Sequence, residues 1–187
     1  MAGSTTFDYP GESAVVTGST KGIGRAIAAG LVAADANVVV NARTEADAAD
    51  AVAELDELGA GEVTGVTADM ADPADIERLV ESAIDAFGEI DLLVNNAAVW
   101  PREDSPVEGT LEDWDLAMDV NVRAQYYASK LVAAYIIEND IHGSIVDHSS
   151  QTGDRRTGKG GLYVSPRCPS TVSRGGWRPN SRNTGSG

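Results

Sequence analysis

The stretch Thr17-Gly18-Ser19-Thr20-Lys21-Gly22-Ile23-Gly24 lies between an apolar run, Ser13 to Val16, and a helix-forming run, Arg25 to Ala34. Glycines let a backbone turn sharply and approach a ligand with no side chain in the way. The helix that follows presents unpaired N–H groups at its positive end. Three glycines alone carry little weight, but a strand before, a helix after and a second β-branched run from Asn37 to Asn41 supply the context of a nucleotide-binding turn.

Short β-branched runs alternate with Ala-rich amphipathic stretches along most of the chain, the pattern of a parallel sheet covered by helices on both faces. Strands are expected near 13–17, 37–41, 62–67, 90–95 and 143–148. Helices are expected near 22–34, 45–58, 73–87, 111–117 and 119–138, with Pro73 suited to a first helical turn. The acidic stretch at 45–58 fits a solvated helix face.

Among 187 residues, 29 acidic and only 14 basic side chains give a formal charge of −15. Such a surface disfavours nucleic acid and anionic membrane as partners, and it suits a high-salt cytoplasm where self-repulsion is screened. A single cysteine, Cys168, cannot form an internal disulfide, and Met1 to Pro10 has neither a basic start nor an apolar run. A cytoplasmic protein is the resulting expectation. His142 and His148 have no ligand-spaced partners, so no metal site is expected. Asp147, His148 and Ser150 do not form a hydrolase triad, because neighbouring side chains on a strand point to opposite faces.

Further motifs follow the glycine turn in order: Asn95-Asn96-Ala97-Ala98 after the fourth strand, Asn121 within Asp119-Val120-Asn121-Val122, and Ser149-Ser150 after the fifth. With Tyr163 thirteen residues beyond Ser150, this set resembles the short-chain dehydrogenase/reductase family over roughly residues 12–163, and is similar to its 3-oxoacyl-carrier-protein reductases and sugar dehydrogenases. The resemblance implies a Rossmann-like doubly wound parallel sheet with helices on both faces, incomplete at the C-terminus. It also implies hydride transfer between a nicotinamide coenzyme and a carbonyl or alcohol. By the same resemblance Tyr163 is the general acid/base, Ser150 holds the reacting oxygen, with Ser149 as the alternative, and Asn121 interrupts its helix to hold a water; an exposed helix residue is the plainer reading of Asn121.

The resemblance places Gly18, Thr20, Lys21, Gly22, Ile23 and Gly24 on the coenzyme, Asp69 and Met70 beside the adenine, and Asn96 and Ala97 under the adenosine ribose. For Asp69 the alternative is an N-cap to the helix at Pro73. Folds of this kind that select NAD usually carry an acid at the end of the second strand. Ala42 occupies that position and Arg43 follows it. Arg43 can form a fork to a 2′-phosphate with Lys21 adding charge nearby, so NADP(H) is expected over NAD(H).

Beyond Tyr163 the family pattern fails. Its Lys four residues on is replaced by Arg167 behind Pro166, and that proline opposes the helix needed to hold the cation. A free tyrosine is ionised to only about one part in a thousand at pH 7, so an unanchored cation leaves it a poor base. Residues 151–187 carry seven basic side chains against one acid, Asp154, and beyond Pro166 no helical or strand period survives. We expect a Rossmann domain over 1–163 and an aberrant, disordered tail over 164–187. A shifted reading frame is the expected origin of that tail: regrouping the codons by one base from Trp177 permits an Ala-rich helical sequence. The helix at 119–138 often makes subunit contacts in the family, so a homo-oligomer with an incomplete interface is expected. The competing reading is a catalytically impaired nucleotide-binding fragment.

Overall fold

In the computed structural model, residues 8–100 and 109–149 are described. Five parallel strands, β1 (Ser13–Val16), β2 (Asn37–Ala42), β3 (Val63–Thr67), β4 (Leu92–Asn95) and β5 (Ser144–Asp147), form one sheet in the order β3-β2-β1-β4-β5. The chain first steps outward from β1 to β3 and then crosses to β4 on the other side of β1. The order therefore reverses between β1 and β4, and open sheets of this kind bind ligands outside the strand carboxyl ends at such a reversal.

The alternation of side chains along each strand divides the core. Val16, Val38, Val40 and Val94 pack toward α1 (Gly22–Val32) and α2 (Glu45–Leu55), where Ala28, Val32, Ala51 and Leu55 meet them. Val15, Val39, Leu93 and Ile145 face the opposite layer, α3 (Pro73–Phe87) and α5 (Ala124–Glu138), through Ile76, Leu79, Ala128 and Val132. The doubly wound α/β architecture with helices on both faces is thus present in the described residues, and all five expected strands occur.

Helix ends follow local chemistry. Asp72 caps α3 by accepting from Ala74 N at 2.9 Å, Pro73 takes the first turn, and Gly88 closes it with φ +84°. The cap reading for Asp69 is therefore corrected, since Asp72, adjacent to Pro73, performs that role. α1 and α2 end earlier than the expected 34 and 58. Asp35 adopts φ +65° and its carboxylate accepts from Ala60 N at 2.8 Å, so both chains turn toward their next strands at that point.

α4 (Leu111–Met118) opens with a reciprocal capping box between Thr110 and Asp113. It runs into α5 through a π-helical turn, Asp119–Arg123. The backbone widens there without breaking, and Asn121 lies inside it at 2% exposure, which corrects the reading of Asn121 as an exposed helix residue. Ser150, Tyr163, Arg167 and the tail from 164 lie outside the described residues.

Leu79 is 1% exposed at the centre of the α3 layer. Leu79→Ala should cost about 2–5 kcal/mol of unfolding free energy, read as a lower urea midpoint with an unchanged slope.

Candidate functional site

At the carboxyl end of the sheet the glycine turn is held from two sides by hydrogen bonds to β2 and β4. Thr17 Oγ1 accepts from both Asn96 N and Ala97 N at 3.0 Å. Asn96 returns the contact, its Nδ2 donating to Thr17 O at 2.9 Å and to Gly18 O at 3.1 Å. On the β2 side, Asn41 Oδ1 accepts from Gly18 N at 3.1 Å, and Ser19 Oγ accepts from Asn41 N at 2.9 Å while donating to Val16 O at 2.7 Å.

The same closeness fixes the glycines. Gly18 has φ +61°, and a Cβ on it would fall 2.9 Å from Ala97 Cα. A Cβ on Gly24 would fall 2.3 Å from Asn96 Nδ2 and 2.5 Å from Gly18 O. Gly22, with φ +59°, lets the chain enter α1. Lys21 precedes that helix, makes no side-chain cap, and leaves the first-turn amides of α1 without an acid.

These elements enclose a cavity of about 740 Å³ across the ends of β1 to β5. Of the residues expected to hold coenzyme, Gly18, Thr20, Lys21, Ile23, Gly24, Arg43, Asp69, Met70, Asn96 and Ala97 line it; Gly22 shapes the turn from outside. Leu116 and Val120 close another side.

Asn121 does not line the cavity. Its Oδ1 accepts from Val99 N at 2.8 Å and its Nδ2 donates to Val99 O at 2.9 Å, so its side chain braces the wall built by residues 97–99. Ser149 lines the cavity, whereas Ser150 and Tyr163 lie outside the described residues.

The β3 end is braced from α3. Asp75 Oδ2 accepts from Asp69 N at 2.7 Å and its Oδ1 from Arg78 Nη1 at 2.6 Å, while Arg78 Nη2 donates to Thr67 O at 2.9 Å. Arg123 Nη2 donates to Ala71 O at 2.7 Å, tying the π-helical turn to the same loop. The Arg78 hydrogen bond, and after it the Asp69 amide, hold the Asp75 carboxyl below the usual carboxylate range.

Three cavity-end residues were not singled out from the sequence for what they do here. Thr17 and Asn41 are polar side chains buried to 1% and 2% exposure, and Asn41 interrupts the run Val38-Val39-Val40, a visible signal that its amide has a fixed partner. His148 also lines the cavity, with Nδ1 3.2 Å from Asn96 Oδ1. Its neighbour Asp147 bonds instead to Asn95 Nδ2 at 2.8 Å, so the two point apart as strand alternation requires.

Of the described cations, Arg25, Arg78 and Arg123 pair with Glu54, Asp75 and Asp119, and Lys130 sits over the Tyr127 ring. Lys21 and Arg43 make no such pair among the described residues, and both line the cavity. Backbone donors and two cations outside any ion pair among the described residues are groups that can hold a phosphorylated ligand.

Comparison with known proteins identifies the lineage. The family model for short chain dehydrogenases matches residues 12–166, and the chain belongs to that family. It is 36% identical over 143 residues to glucose 1-dehydrogenase 2 of Bacillus subtilis, covering 76% of this chain and 55% of that protein. It is likewise 36% identical over 144 residues to L-rhamnose 1-dehydrogenase (NADP(+)) of Thermoplasma acidophilum, covering 77% and 56%. A metagenomic short-chain oxidoreductase solved in complex with NADP superposes with a TM-score of 0.75 at 31% identity, over 82% of this chain and 69% of that one. The chain thus spans about half the length of these two curated relatives.

Two expectations follow. Thr17→Val keeps the shape but leaves two backbone donors without their acceptor, and should cost about 1–3 kcal/mol in urea unfolding, with Thr17→Ser retaining most of the stability. The Asp75 carboxyl has a lowered pKa in the fold, so its contribution is full above the ordinary carboxylate range and is lost as pH falls through the lowered value. Melting temperature followed into acid should therefore fall less steeply in Asp75→Asn than in the parent.

Proposed function

We propose that the chain binds NADP(H) in this cavity and descends from an oxidoreductase that interconverts a carbonyl and an alcohol on a small molecule. The observation that carries the reading is that Lys21 and Arg43, neither in an ion pair among the described residues, both line the cavity of a chain whose net charge is −15. Ala42 stands where an NAD-selecting acid would accept from a ribose hydroxyl, and the guanidinium beside it suits a 2′-phosphate. A relative named for NADP(+) and a structural neighbour solved with NADP support the same choice.

The residues present fit such a ligand. Gly18 and Gly24 leave space that a Cβ would fill, the first-turn amides of α1 meet a diphosphate, and Asp69 and Met70 flank an adenine. Bound there, a nicotinamide coenzyme supplies or accepts the hydride. In our reading Ser150 orients the substrate oxygen, with Ser149 as the alternative, and Tyr163 gives or takes its proton. Asn121 contributes by bracing the wall at Val99. Arg167 in place of the family's Lys favours a second reading, a nucleotide-binding chain with little turnover.

Coenzyme fluorescence titration separates the choices. Arg43→Ala should weaken NADPH about tenfold or more while leaving NADH nearly unchanged; equal affinity of the parent for both, or no loss in the variant, contradicts the NADP assignment. Carbonyl-dependent NADPH oxidation by the parent, lost in Tyr163→Phe, supports the enzymatic reading, and binding without turnover supports the second.

A further inference from the structure

Lys21 and Arg43 share their part of the wall with a carboxylate. Asp47, in the first turn of α2, lines the main cavity and also a smaller side cavity of about 240 Å³ with Lys21, Asp50 and Glu54. Its position is fixed: Asp47 N donates to Thr44 Oγ1 at 3.2 Å, and Asp47 Oδ2 accepts from that hydroxyl at 2.7 Å. It forms no ion pair with either cation among the described residues, and all three residues line the main cavity.

We infer that Asp47 sets the discrimination between phosphorylated and unphosphorylated coenzyme, its carboxylate opposing the 2′-phosphate that Lys21 and Arg43 attract. This rests on the cavity being the coenzyme site. The charge is pinned in the first turn of α2, four residues after Arg43, and a phosphate drawn to that guanidinium enters the field of the carboxylate as well. A fixed negative charge within one screening length of a dianionic group weakens its binding, whereas an uncharged ribose hydroxyl is little affected. The hydrogen bond to Thr44 also stabilises α2, so an amide in place of the acid keeps the cap and removes only the charge.

The test is titration of the full chain and its Asp47→Asn variant with NADPH and with NADH, at low and at molar salt. Asp50→Asn serves as the control, because Asp50 lines the side cavity but not the main one. Asp47→Asn should bind NADPH about three- to tenfold more tightly and NADH within about twofold, with the gain vanishing at about 1 M salt. Asp50→Asn should leave both affinities within about twofold. Unchanged or weaker NADPH binding in Asp47→Asn, or an equal gain in Asp50→Asn, overturns the inference. Asp47→Ser, which retains a hydroxyl, must repeat the gain if Asp47→Asn melts early. A parent chain that binds neither coenzyme overturns the cavity reading itself, whereas a parent that binds NADPH with no gain in the variants overturns only the role of Asp47.

Discussion

The junction between β1 and β4 is the constraint on which the site depends. There the sheet order reverses, leaving a crevice, and the turn that enters α1 crosses it with the amides of Thr17, Gly18 and Ser19 bonded to the neighbouring strands. Thr17 Oγ1 accepts two amides from the strand-end segment at Asn96 and Ala97, and Asn96 Nδ2 donates back to two carbonyls of the turn. Four hydrogen bonds thus fix a loop that glycine would otherwise leave free. The cost of glycine's backbone entropy is met locally, and the turn is held in place by the protein's own hydrogen bonds.

The electrostatics are arranged around that cradle. Exposed pairs such as Arg25–Glu54 and Arg123–Asp119 contribute little to stability, as surface pairs generally do. They matter more by what they leave over. In a chain with about two acids per base, Lys21 and Arg43 line the cavity outside any ion pair among the described residues, in a wall that also carries Asp47 and Asp69. The hydrogen bonds of Asp75, Arg78 and Arg123 brace the loop 67–71 at the β3 end.

Much of this arrangement is visible in the sequence, for physical reasons that also mark where visibility ends. Val15 beside Val16 and Val38-Val39-Val40 announce strands buried on both faces, and Thr44, Asp72 with Pro73, and Gly88 announce helix ends. Asn121 was harder, because a π-helical turn leaves no periodic signature and only tertiary packing shows that its amide is bound to Val99. Thr17, Asn41 and His148 belong to the same class: Thr17 meets Asn96 and Ala97 across 79 and 80 residues, Asn41 meets Gly18 and Ser19 across 23 and 22, and His148 meets Asn96 across 52. The chemistry expected of Ser150 and Tyr163 lies outside the described residues, and remains a proposal carried by their spacing and by the family.

Determining the structure of the full chain with NADPH tests the central claim most directly. The account predicts the diphosphate against the first-turn amides of α1, the 2′-phosphate at Arg43 and Lys21, and the adenine beside Asp69. A folded chain that takes up no nicotinamide coenzyme at saturating concentration, or that holds it elsewhere, would contradict it.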